Sequence, residues 1–440
     1  MPFLNTSTIW RLFGYNINNS KTELKNLKKL PEKKYWETQI KKRDFIFQHH
    51  FKNTQWYKNF AGNDIDIEWE NIPIITKNDL QDFTSIGLPN STINNEYYFA
   101  NTSGSSGHPF FFWKNKDCHS LAWAKIIISY ENLGISNWDK EARFFGHIKD
   151  SYKTRLIEYI KDKFLNRYRF DIFNISNDNL MGIFNTFGKK EFGYIYGYSN
   201  VIIELSNFII RKKLAPLINI CPSLKLCIVT AEMCNNEDRK LINKAFGIPV
   251  YQEYGSSETS IIAIENKNFN WEISTDRLWV EVVDEENNPV SNGKPGRIII
   301  TDLYNQAFPF IKYEIGDIGI IKKVRRFPFL MLSELSGRNS DMIQLPSGKR
   351  APGLTFYYIS RSILEESTSI KQFKIIQEEL SKFRFIYVSN NDLSEEAKSE
   401  IIRLSYEYLE PELFFEFERC KQISNDYSGK IQHFFSKINC

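Results

Sequence analysis

The chain has little that would tie it to metal clusters, disulfides or membranes. Its six cysteines form no CxxC pair, a spacing that is poor for a zinc site and unlike a disulfide framework, so we expect reduced thiols. No run approaches the roughly 20 apolar residues needed to span a bilayer. The N-terminal stretch MPFLNTSTIWRLFGYN lacks the long apolar core of a secretory signal. Together these features predict a cytoplasmic protein without a transmembrane segment.

The chain also has little excess of charge of one sign, because 57 Lys and Arg against 53 Asp and Glu give a formal net charge of +4 over 440 residues. A nucleic-acid-binding protein normally shows a concentrated basic face, so we expect no nucleic-acid partner. Aromatic side chains, in contrast, are plentiful, with 35 Phe and 22 Tyr. Such a composition favours thick sheet cores and argues against disorder. The length predicts two or three domains with a large core.

Apolar strands and amphipathic helices alternate along the middle of the chain. LKLCIVTAE (224–232) is typical of a buried strand, and NNEDRKLINKAFG of an amphipathic helix that ends at Gly247. Between residues 271 and 325, LWVEVVD and RIIITDL indicate strands joined by turns. We therefore predict an α/β fold with a large N-terminal domain of mixed sheets, flanked by helices and containing a barrel-like section.

A domain boundary is predicted near residues 337–348, where the segment SGRNSDMIQLPSGK is polar and rich in turn residues. After it come two strand patterns, the helical pattern SEEAKSEIIRLSYEYL and the strand pattern LFFEFE. This βαβ-like block spans about a hundred residues, a common domain size. We accordingly predict a large N-terminal domain of residues 1–336 and a small α+β C-terminal domain of residues 337–440.

The first of five candidate motifs is the loop NTSGSSGHP at 101–109. Its hydroxyls and unhindered amides have two interpretations, an ordinary tight turn or a backbone cradle for phosphate. It does not match the GxxxxGK[ST] pattern, because its last glycine is followed by His108. The residues of this candidate loop are Thr102, Ser103, Gly104, Ser105, Ser106 and Gly107.

The second motif follows a predicted strand and consists of an aromatic, two hydroxyl and one acidic side chain around a glycine. The ring could stack on a flat base, a hydroxyl could reach a phosphate, and the carboxylate could hold a hard cation such as Mg²⁺. The alternative is a strand-end turn with a surface glutamate. The residues are Tyr254, Gly255, Ser256, Ser257 and Glu258.

Three more motifs follow toward the C-terminus. Asp317 lies between two glycines in YEIGDIG and could accept both hydroxyls of a ribose, or could simply belong to a Gly-Asp hairpin turn. GRNSD at 337–341 falls at the predicted boundary. SGK at 428–430 is either an exposed loop or the source of a lysine that follows a phosphate or carboxylate oxygen through a reaction.

In this order and at these separations, the motifs TSGSSGHP, YGSSE, PFIKYEIGD, GRNSD and SGK resemble the adenylate-forming enzyme superfamily. The resemblance covers about residues 70–440. Within the superfamily, the stretches LKLCIVTAEMCNNEDRKLINKAFGIPVYQEYGSSE and GKPGRIIITDLYNQAFPFIKYEIGD are similar to the phenylacetate–CoA ligase and CapK-type capsule-biosynthesis branch.

This resemblance implies a ligase that joins a carboxylic acid to ATP, releases pyrophosphate and passes the acyl group from acyl-AMP to an acceptor. The acceptor would be CoA, a carrier-protein thiol or the amine of an amino sugar, in surface-polysaccharide biosynthesis. The alternatives are a dedicated aryl-acid–CoA ligase and a catalytically inactive nucleotide-binding scaffold. The implied cofactors are ATP and Mg²⁺, with CoA for the CoA-dependent alternatives.

The resemblance also implies that residues 1–336 are the AMP-binding domain and that residues 337–440 are a mobile lid domain. It assigns roles to the nucleotide-binding residues. The loop 102–107 would hold the β- and γ-phosphates, and Tyr254 would stack on adenine. Ser257 would contact the α-phosphate, Glu258 would bind Mg²⁺ and Asp317 would hold the ribose.

Further roles follow for residues near the implied acid pocket and in the C-terminal third. Arg338 would assist in holding the ribose, and Asp341 would be the hinge about which the small domain swings. Lys430 would bridge carboxylate and phosphate oxygens during adenylation. His147, in FFGHIKD, is either part of the acid pocket or a structural histidine.

The chain departs from its relatives in two places. The stretch IAIENKNFNWEIS after the second motif has neither the cysteine nor the histidine common there, so we do not expect a structural zinc site. Lys312 replaces a common arginine, a change that would alter a bidentate contact.

Overall fold

The computed structural model describes most of the chain and gives, for some residues such as Arg338, the backbone alone. The described residues are 10–11, 14–62, 64–85, 97–101, 111–145, 152–170, 172, 177–232, 234–338, 342–348, 350–352, 356, 370–421, 423 and 434–438. Within these ranges, no helix is both long enough and apolar enough to cross a bilayer.

The first part of the chain forms a helical layer followed by a β-hairpin and a long helix. The hairpin strands pair antiparallel, from Tyr97 opposite Asn115 to Asn101 opposite Phe111. The candidate phosphate loop therefore connects two paired strand ends. The elements are α1 (Ile17–Lys28), α2 (Glu32–Asn53), α3 (Gln55–Ala61), α4 (Lys77–Ser85), β1 (Tyr97–Asn101), β2 (Phe111–Asn115) and α5 (Lys116–Leu133).

The middle of the chain alternates strands and helices, as the sequence predicts. The helix predicted from NNEDRKLINKAFG is present: Asn235 caps its first turn, and Gly247 ends it in the left-handed conformation at φ +73°. The elements are β3 (Glu141–Phe144), α6 (Tyr152–Phe164), β4 (Arg167–Arg169), α7 (Asn177–Phe187), β5 (Tyr194–Tyr198), α8 (Ser199–Arg211), α9 (Leu217–Ile220), β6 (Leu226–Thr230), α10 (Asn236–Phe246) and β7 (Val250–Ser256).

Strands then dominate the remainder of the large sheet. The predicted strands at LWVEVVD and RIIITDL are present and pair antiparallel. The elements are β8 (Ser260–Glu265), β9 (Trp271–Ile273), β10 (Leu278–Val283), β11 (Pro295–Asp302), β12 (Tyr313–Lys323) and β13 (Leu330–Arg338).

These strands form one sheet of eleven, in the order β10-β11-β12-β13-β9-β8-β7-β6-β5-β3-β4. Neighbouring strands pair parallel along one part of the sheet, β4-β3-β5-β6-β7. Neighbouring strands pair antiparallel along the other part, β7-β8-β9-β13-β12-β11-β10. All five residues of β6 are buried, as expected for a parallel strand covered on both faces. Residues of α7, α8 and α10 share a hydrophobic core with β5 and β6, while the end of α5 contributes to a second core with β6, β7 and β8. The predicted mixed α/β fold is thus confirmed.

A smaller sheet lies in the C-terminal part, in the order β18-β17-β16-β19. Its core includes Phe373, Ile375, Phe383 and Phe385 together with Ile401 of the neighbouring helix. The predicted division after residue 336 stays a prediction, and β13 of the large sheet extends to Arg338. The elements are β14 (Met342–Gln344), β15 (Arg350–Pro352), β16 (Ile370–Glu379), β17 (Lys382–Ser389), α11 (Glu395–Tyr408), β18 (Phe414–Cys420) and β19 (Phe434–Ser436).

A carboxyl group on β7 is enclosed by tyrosines from the helix α5 and from β5, the second strand along from β7. The hydroxyl groups of Tyr130 and Tyr196 donate to Glu253, at 2.8 and 3.1 Å. Burial raises the pKa of Glu253 to about 7, although these two hydrogen bonds and Arg143 act in the opposite direction. An unshifted glutamate titrates at 4.5. Between these pH values the folded chain holds the proton more tightly, so the stability falls as pH rises through this window.

We therefore expect Glu253→Gln to reduce the loss of stability between pH 5 and pH 8, because glutamine keeps the shape of the side chain but cannot ionise. Its carbonyl oxygen can accept from one of the two tyrosine hydroxyls, and its amide N–H can donate to the other. The difference from the unmodified chain should be about 2–3 kcal/mol, measured by urea unfolding at both pH values. Glu395→Gln, at a position where the glutamate side chain is 84% exposed, is the control and should behave like the unmodified chain. Equal pH dependence of both variants would contradict this interpretation.

Candidate active site

The second motif lies where β7 ends and turns back into β8. The two strands pair up to Ser256 opposite Ser260, so residues 257–259 form a three-residue turn. The hydroxyl of Ser256 accepts a hydrogen bond from the backbone N–H of Thr259 at 3.1 Å. A Cβ at Gly255 would lie 2.6 Å from the carbonyl oxygen of Ser260. Glycine is therefore required at position 255 because the two backbones approach so closely.

Tyr254 and Asp317, predicted separately from two motifs, are in direct contact. The hydroxyl of Tyr254 donates to Oδ2 of Asp317 at 2.5 Å, across 63 residues of sequence. Asp317 is 9% exposed. It follows Gly316, whose φ of +85° lies in the left-handed region that favours glycine. An aromatic ring and a carboxylate thus lie side by side at the end of β7.

This contact requires the large sheet to bend back on itself. β12, which carries Asp317, is separated from β7 by β8, β9 and β13 in the order of the sheet. Four steps across a flat sheet would span roughly 19 Å, at about 4.8 Å a strand. The predicted barrel-like section is this antiparallel, strongly curved part of the sheet.

A second contact ties β12 to the turn. The hydroxyl of Tyr313, the first residue of β12, donates to Oε1 of Glu258 at 3.3 Å. Glu258 is 8% exposed and Tyr313 is 2% exposed. The carboxylate of Glu258 is a hard anionic oxygen donor of the kind that Mg²⁺ takes, so the residue fits the ion that the resemblance implies.

Buried cations bind the backbone of the same turn from within the protein. Lys114 on β2 donates from Nζ to the carbonyl oxygen of Ser257 at 3.2 Å. Arg277, with no exposed surface, donates to the carbonyl oxygen of Thr259. Its guanidinium also forms an ion pair with Asp302 at 3.2 Å, fully buried on both sides. The turn that carries Ser257 and Glu258 is therefore held at two carbonyl groups.

A buried thiol completes this cluster of charges. Sγ of Cys118 donates to the two carboxylate oxygens of Asp302, at 3.5 and 3.6 Å. Burial and the neighbouring carboxylate raise the pKa of the Cys118 thiol well above its ordinary value. A thiolate is the nucleophilic form of cysteine, so Cys118 is inert in this environment.

Lys312 lies outside this cluster and connects β12 to the helical layer. Its Nζ donates to the carbonyl oxygens of Trp69 and Glu70, at 3.3 and 3.1 Å. Burial lowers the pKa of Lys312, although Glu281 and Glu70 act against this shift. Lysine here serves as a donor to two separate carbonyl groups, whereas an arginine would present a planar fork.

The structure thus brings together six of the residues predicted from the sequence. Arg338 stands opposite Asp317 in the pairing of β12 with β13, and its side chain lies outside the described part of the structure. His147, Asp341, Lys430 and the loop 102–107 also lie outside the described residues. The residues brought together are Tyr254, Gly255, Ser256, Ser257, Glu258 and Asp317.

Sequence reasoning missed the residues that hold this site in place. Tyr313 was visible as part of the third motif, two positions before its dipeptide IG, but nothing nearby in sequence indicates Glu258 as its partner. Lys114 interrupts an apolar strand, and Arg277 sits with Asp276 between two strands. A charged residue inside an otherwise apolar pattern is the signal that could have identified both as buried and paired.

Comparisons with known proteins agree with this fold. The chain is 23% identical over 433 residues to protein CapK of Staphylococcus aureus, covering 94% of this chain and 92% of that protein. It is 28% identical over 128 residues to the phenylacetate-coenzyme A ligase of Pseudomonas putida, covering 27% of this chain and 28% of that enzyme. No protein-family model matches the chain.

Among solved structures, the chain is similar to 2-hydroxyisobutyryl-CoA ligase in its postadenylation state with 2-HIB-AMP. The TM-score is 0.71 with 16% identity, covering 94% of this chain and 92% of that one. The same ligase in an open conformation with 2-HIB-AMP and CoA gives a TM-score of 0.59 with 16% identity, covering 93% of each chain. The architecture of this chain is therefore the adenylate-forming ligase fold.

The buried ion pair beneath the turn yields a prediction about stability. Asp302→Asn leaves the Arg277 guanidinium buried without a charged partner, and we expect it to lower the free energy of unfolding by about 3–5 kcal/mol. Urea unfolding of the two proteins measures this difference. Asp392→Asn removes an ion pair with Arg419 at a position where the aspartate is 73% exposed, so this control should change stability little. A similar loss in both variants would contradict the assignment.

Proposed function

We propose that this chain converts a carboxylic acid into an acyl-adenylate and then transfers the acyl group to a thiol or amine. Its relatives and its fold support this proposal, because they indicate an adenylate-forming ligase of the acyl-CoA-ligase-like superfamily. One observation carries the proposal: the contact of 2.5 Å between Tyr254 and Asp317. It joins a ring that can stack on a base to a carboxylate that can accept ribose hydroxyls. In adenosine the base and the ribose are adjacent, as these two side chains are.

In this proposal the turn after β7 serves the α-phosphate. Ser257 is exposed, so its hydroxyl is available to an oxygen of the α-phosphate. Glu258 would hold Mg²⁺, which when bound neutralises phosphate charge as the acid's carboxylate attacks the α-phosphorus. The loop 102–107, which lies in the sequence between the paired strands β1 and β2, would hold the β- and γ-phosphates as the leaving group. Arg338, opposite Asp317 in the strand pairing, would assist at the ribose.

The remaining roles belong to residues outside the described part of the structure. Lys430 would bridge the carboxylate and phosphate oxygens during adenylation, and His147 would face the acid. Asp341 would be the hinge between domains 1–336 and 337–440. A lysine on a separate domain can be withdrawn after the first half-reaction. The occurrence of 2-hydroxyisobutyryl-CoA ligase in a postadenylation state and an open conformation supports such a rotation.

We propose CoA as the first acceptor to examine, because the structural neighbour was solved with CoA and a partial relative is a CoA ligase. The second acceptor that we propose is a carrier thiol or an amino sugar in surface-polysaccharide biosynthesis, because the motifs resemble the CapK-type capsule-biosynthesis branch. The chain is similar to protein CapK over nearly its whole length. A dedicated aryl-acid–CoA ligase and an inactive nucleotide-binding scaffold are the alternatives. We place the reaction in the cytoplasm, where ATP and CoA are supplied.

The decisive test is acid-dependent exchange of pyrophosphate into ATP, screened over aryl, hydroxy, amino and short aliphatic acids with Mg²⁺. We expect exchange with at least one acid class, since adenylation is reversible before acyl transfer. ATP binding without exchange for any acid would favour the scaffold. For an acid that is activated, product analysis with CoA and with amino sugars distinguishes the acceptors.

Lys430→Ala should abolish most of this exchange, because the carboxylate and phosphate oxygens lose the cation that aligns them. We expect a loss of about 100-fold or more in kcat, with an unchanged melting temperature and ATP affinity. Lys437→Ala, a neighbouring lysine that pairs with Glu378 on the C-terminal sheet, is the control and should retain exchange. Normal exchange by Lys430→Ala would refute the role of Lys430.

Asp317→Ala tests the adenosine end of the site. Removing the carboxylate deletes the acceptor for the ribose hydroxyls and for Tyr254, so we expect AMP affinity to fall by about tenfold or more. Calorimetric titration with AMP measures the change. Asp392→Ala is the control, at a position in the C-terminal part where the aspartate side chain is 73% exposed, and it should leave AMP affinity unchanged. AMP affinity unchanged in Asp317→Ala would overturn the placement of the ribose.

A further inference from the structure

A buried lysine lies directly behind the turn that carries Ser257 and Glu258. Lys114 is 2% exposed, and its Nζ donates to the carbonyl oxygen of Ser257 at 3.2 Å. A buried ammonium is costly unless it is hydrogen-bonded and electrically compensated. The contact with Ser257 therefore links the position of the turn to a charge that the core has to accommodate.

The surroundings of Lys114 supply that compensation. Burial lowers the pKa of Lys114, and Arg277 adds to this effect, whereas Asp302 and Glu258 favour the charged form. Two carboxylates thus stabilise the ammonium electrostatically, that of Asp302 in the core and that of Glu258 on the turn itself. Glu258 is placed between a cation behind the turn and the hydroxyl of Tyr313 on β12.

The second anchor of the turn is independent of Lys114. Arg277 donates to the carbonyl oxygen of Thr259 and is itself fixed by Asp302. The carbonyl groups on either side of Glu258 in the sequence are therefore each bound by a cation that belongs to another element. Since the direction of a side chain follows the backbone that carries it, these two anchors determine where the side chains of residues 257 and 258 point.

We propose that Lys114 is a positioning residue for acid activation: its ammonium fixes the backbone of Ser257 and thereby aims the Ser257 hydroxyl and the Glu258 carboxylate at the nucleotide phosphates and their metal ion. This inference rests on the proposed function, which assigns those two side chains to the α-phosphate and to Mg²⁺. Lys114 acts through the turn and is assigned no contact with the substrate.

The test compares two buried lysines in the full chain. Lys114→Met keeps the length and apolar stem of the side chain and removes the charge and the donor. Lys125→Met is the matched control, because Lys125 is also buried, at 7% exposure, and pairs with Asp276 at 2.9 Å without touching the turn. For each protein we would measure the melting temperature, the affinities for adenosine and for ATP with and without Mg²⁺ by calorimetry, and pyrophosphate exchange.

Mg²⁺ should raise the ATP affinity of the unmodified chain, and we expect this increase to be smaller by on the order of tenfold in Lys114→Met. The kcat of exchange should fall by at least the same factor, because the loss of one charged hydrogen bond has an effect of this size. Its affinity for adenosine should stay within about twofold, since Tyr254 and Asp317 do not depend on this contact. Lys125→Met should lower the melting temperature while leaving the nucleotide affinities and exchange unchanged.

Two results would overturn the proposal. If Lys114→Met binds ATP in the presence of Mg²⁺ with the affinity of the unmodified chain and exchanges pyrophosphate at the same kcat, the turn does not need Lys114 as an anchor. Equal losses of adenosine and ATP affinity would show general damage to the fold instead of positioning. If the unmodified chain exchanges no pyrophosphate with any acid, the ligase function fails, while the comparison of adenosine with ATP and Mg²⁺ still decides the role of Lys114.

Discussion

The curvature of the large sheet is the constraint on which the candidate site depends. β12 contacts the end of β7 at two points, through Asp317 to Tyr254 and through Tyr313 to Glu258, although three strands separate it from β7 in the order of the sheet. Neither contact is compatible with a flat sheet. The antiparallel run through β8, β9 and β13 supplies the bend, and the parallel strands supply the rigid end against which β12 closes.

Such a bend leaves an interior beneath the turn after β7, and this interior holds charge as well as apolar groups. Arg277 and Asp302 form a pair with no exposed surface, and Lys114 lies close by. Taking these groups out of water is unfavourable, and apolar residues of similar volume often stabilise a core more. A hydrocarbon side chain, however, cannot hydrogen-bond the carbonyl groups of Ser257 and Thr259. The buried charges stabilise one conformation of the turn at some expense of overall stability.

The sequence allows the local parts of this arrangement to be predicted. Alternating strand and helix patterns predict the parallel half of the sheet, and the order of the motifs selects Tyr254 and Asp317 as partners in one site. The sequence does not reveal which strands distant along the chain pair with each other. For example, β9 pairs with β13, and no periodicity in the sequence indicates this pairing. Tyr313 and Lys114 were missed for that reason: their roles exist only once the sheet has closed.

The described half of the site is built on β7, the turn that follows it and β12. The contacts that we propose for the β- and γ-phosphates and for the carboxylate of the acid belong to other segments. An enzyme with two half-reactions must hold its adenylate while the surroundings of the acyl group change. Contacts from β7 and β12 suit the first requirement, since strands of a packed sheet hold side chains precisely. The lysine that we propose on a separate C-terminal domain would suit the second, because it could leave without disturbing the adenosine. The division of the site that we propose, between strand ends and the C-terminal segment, therefore matches the order of the two chemical steps.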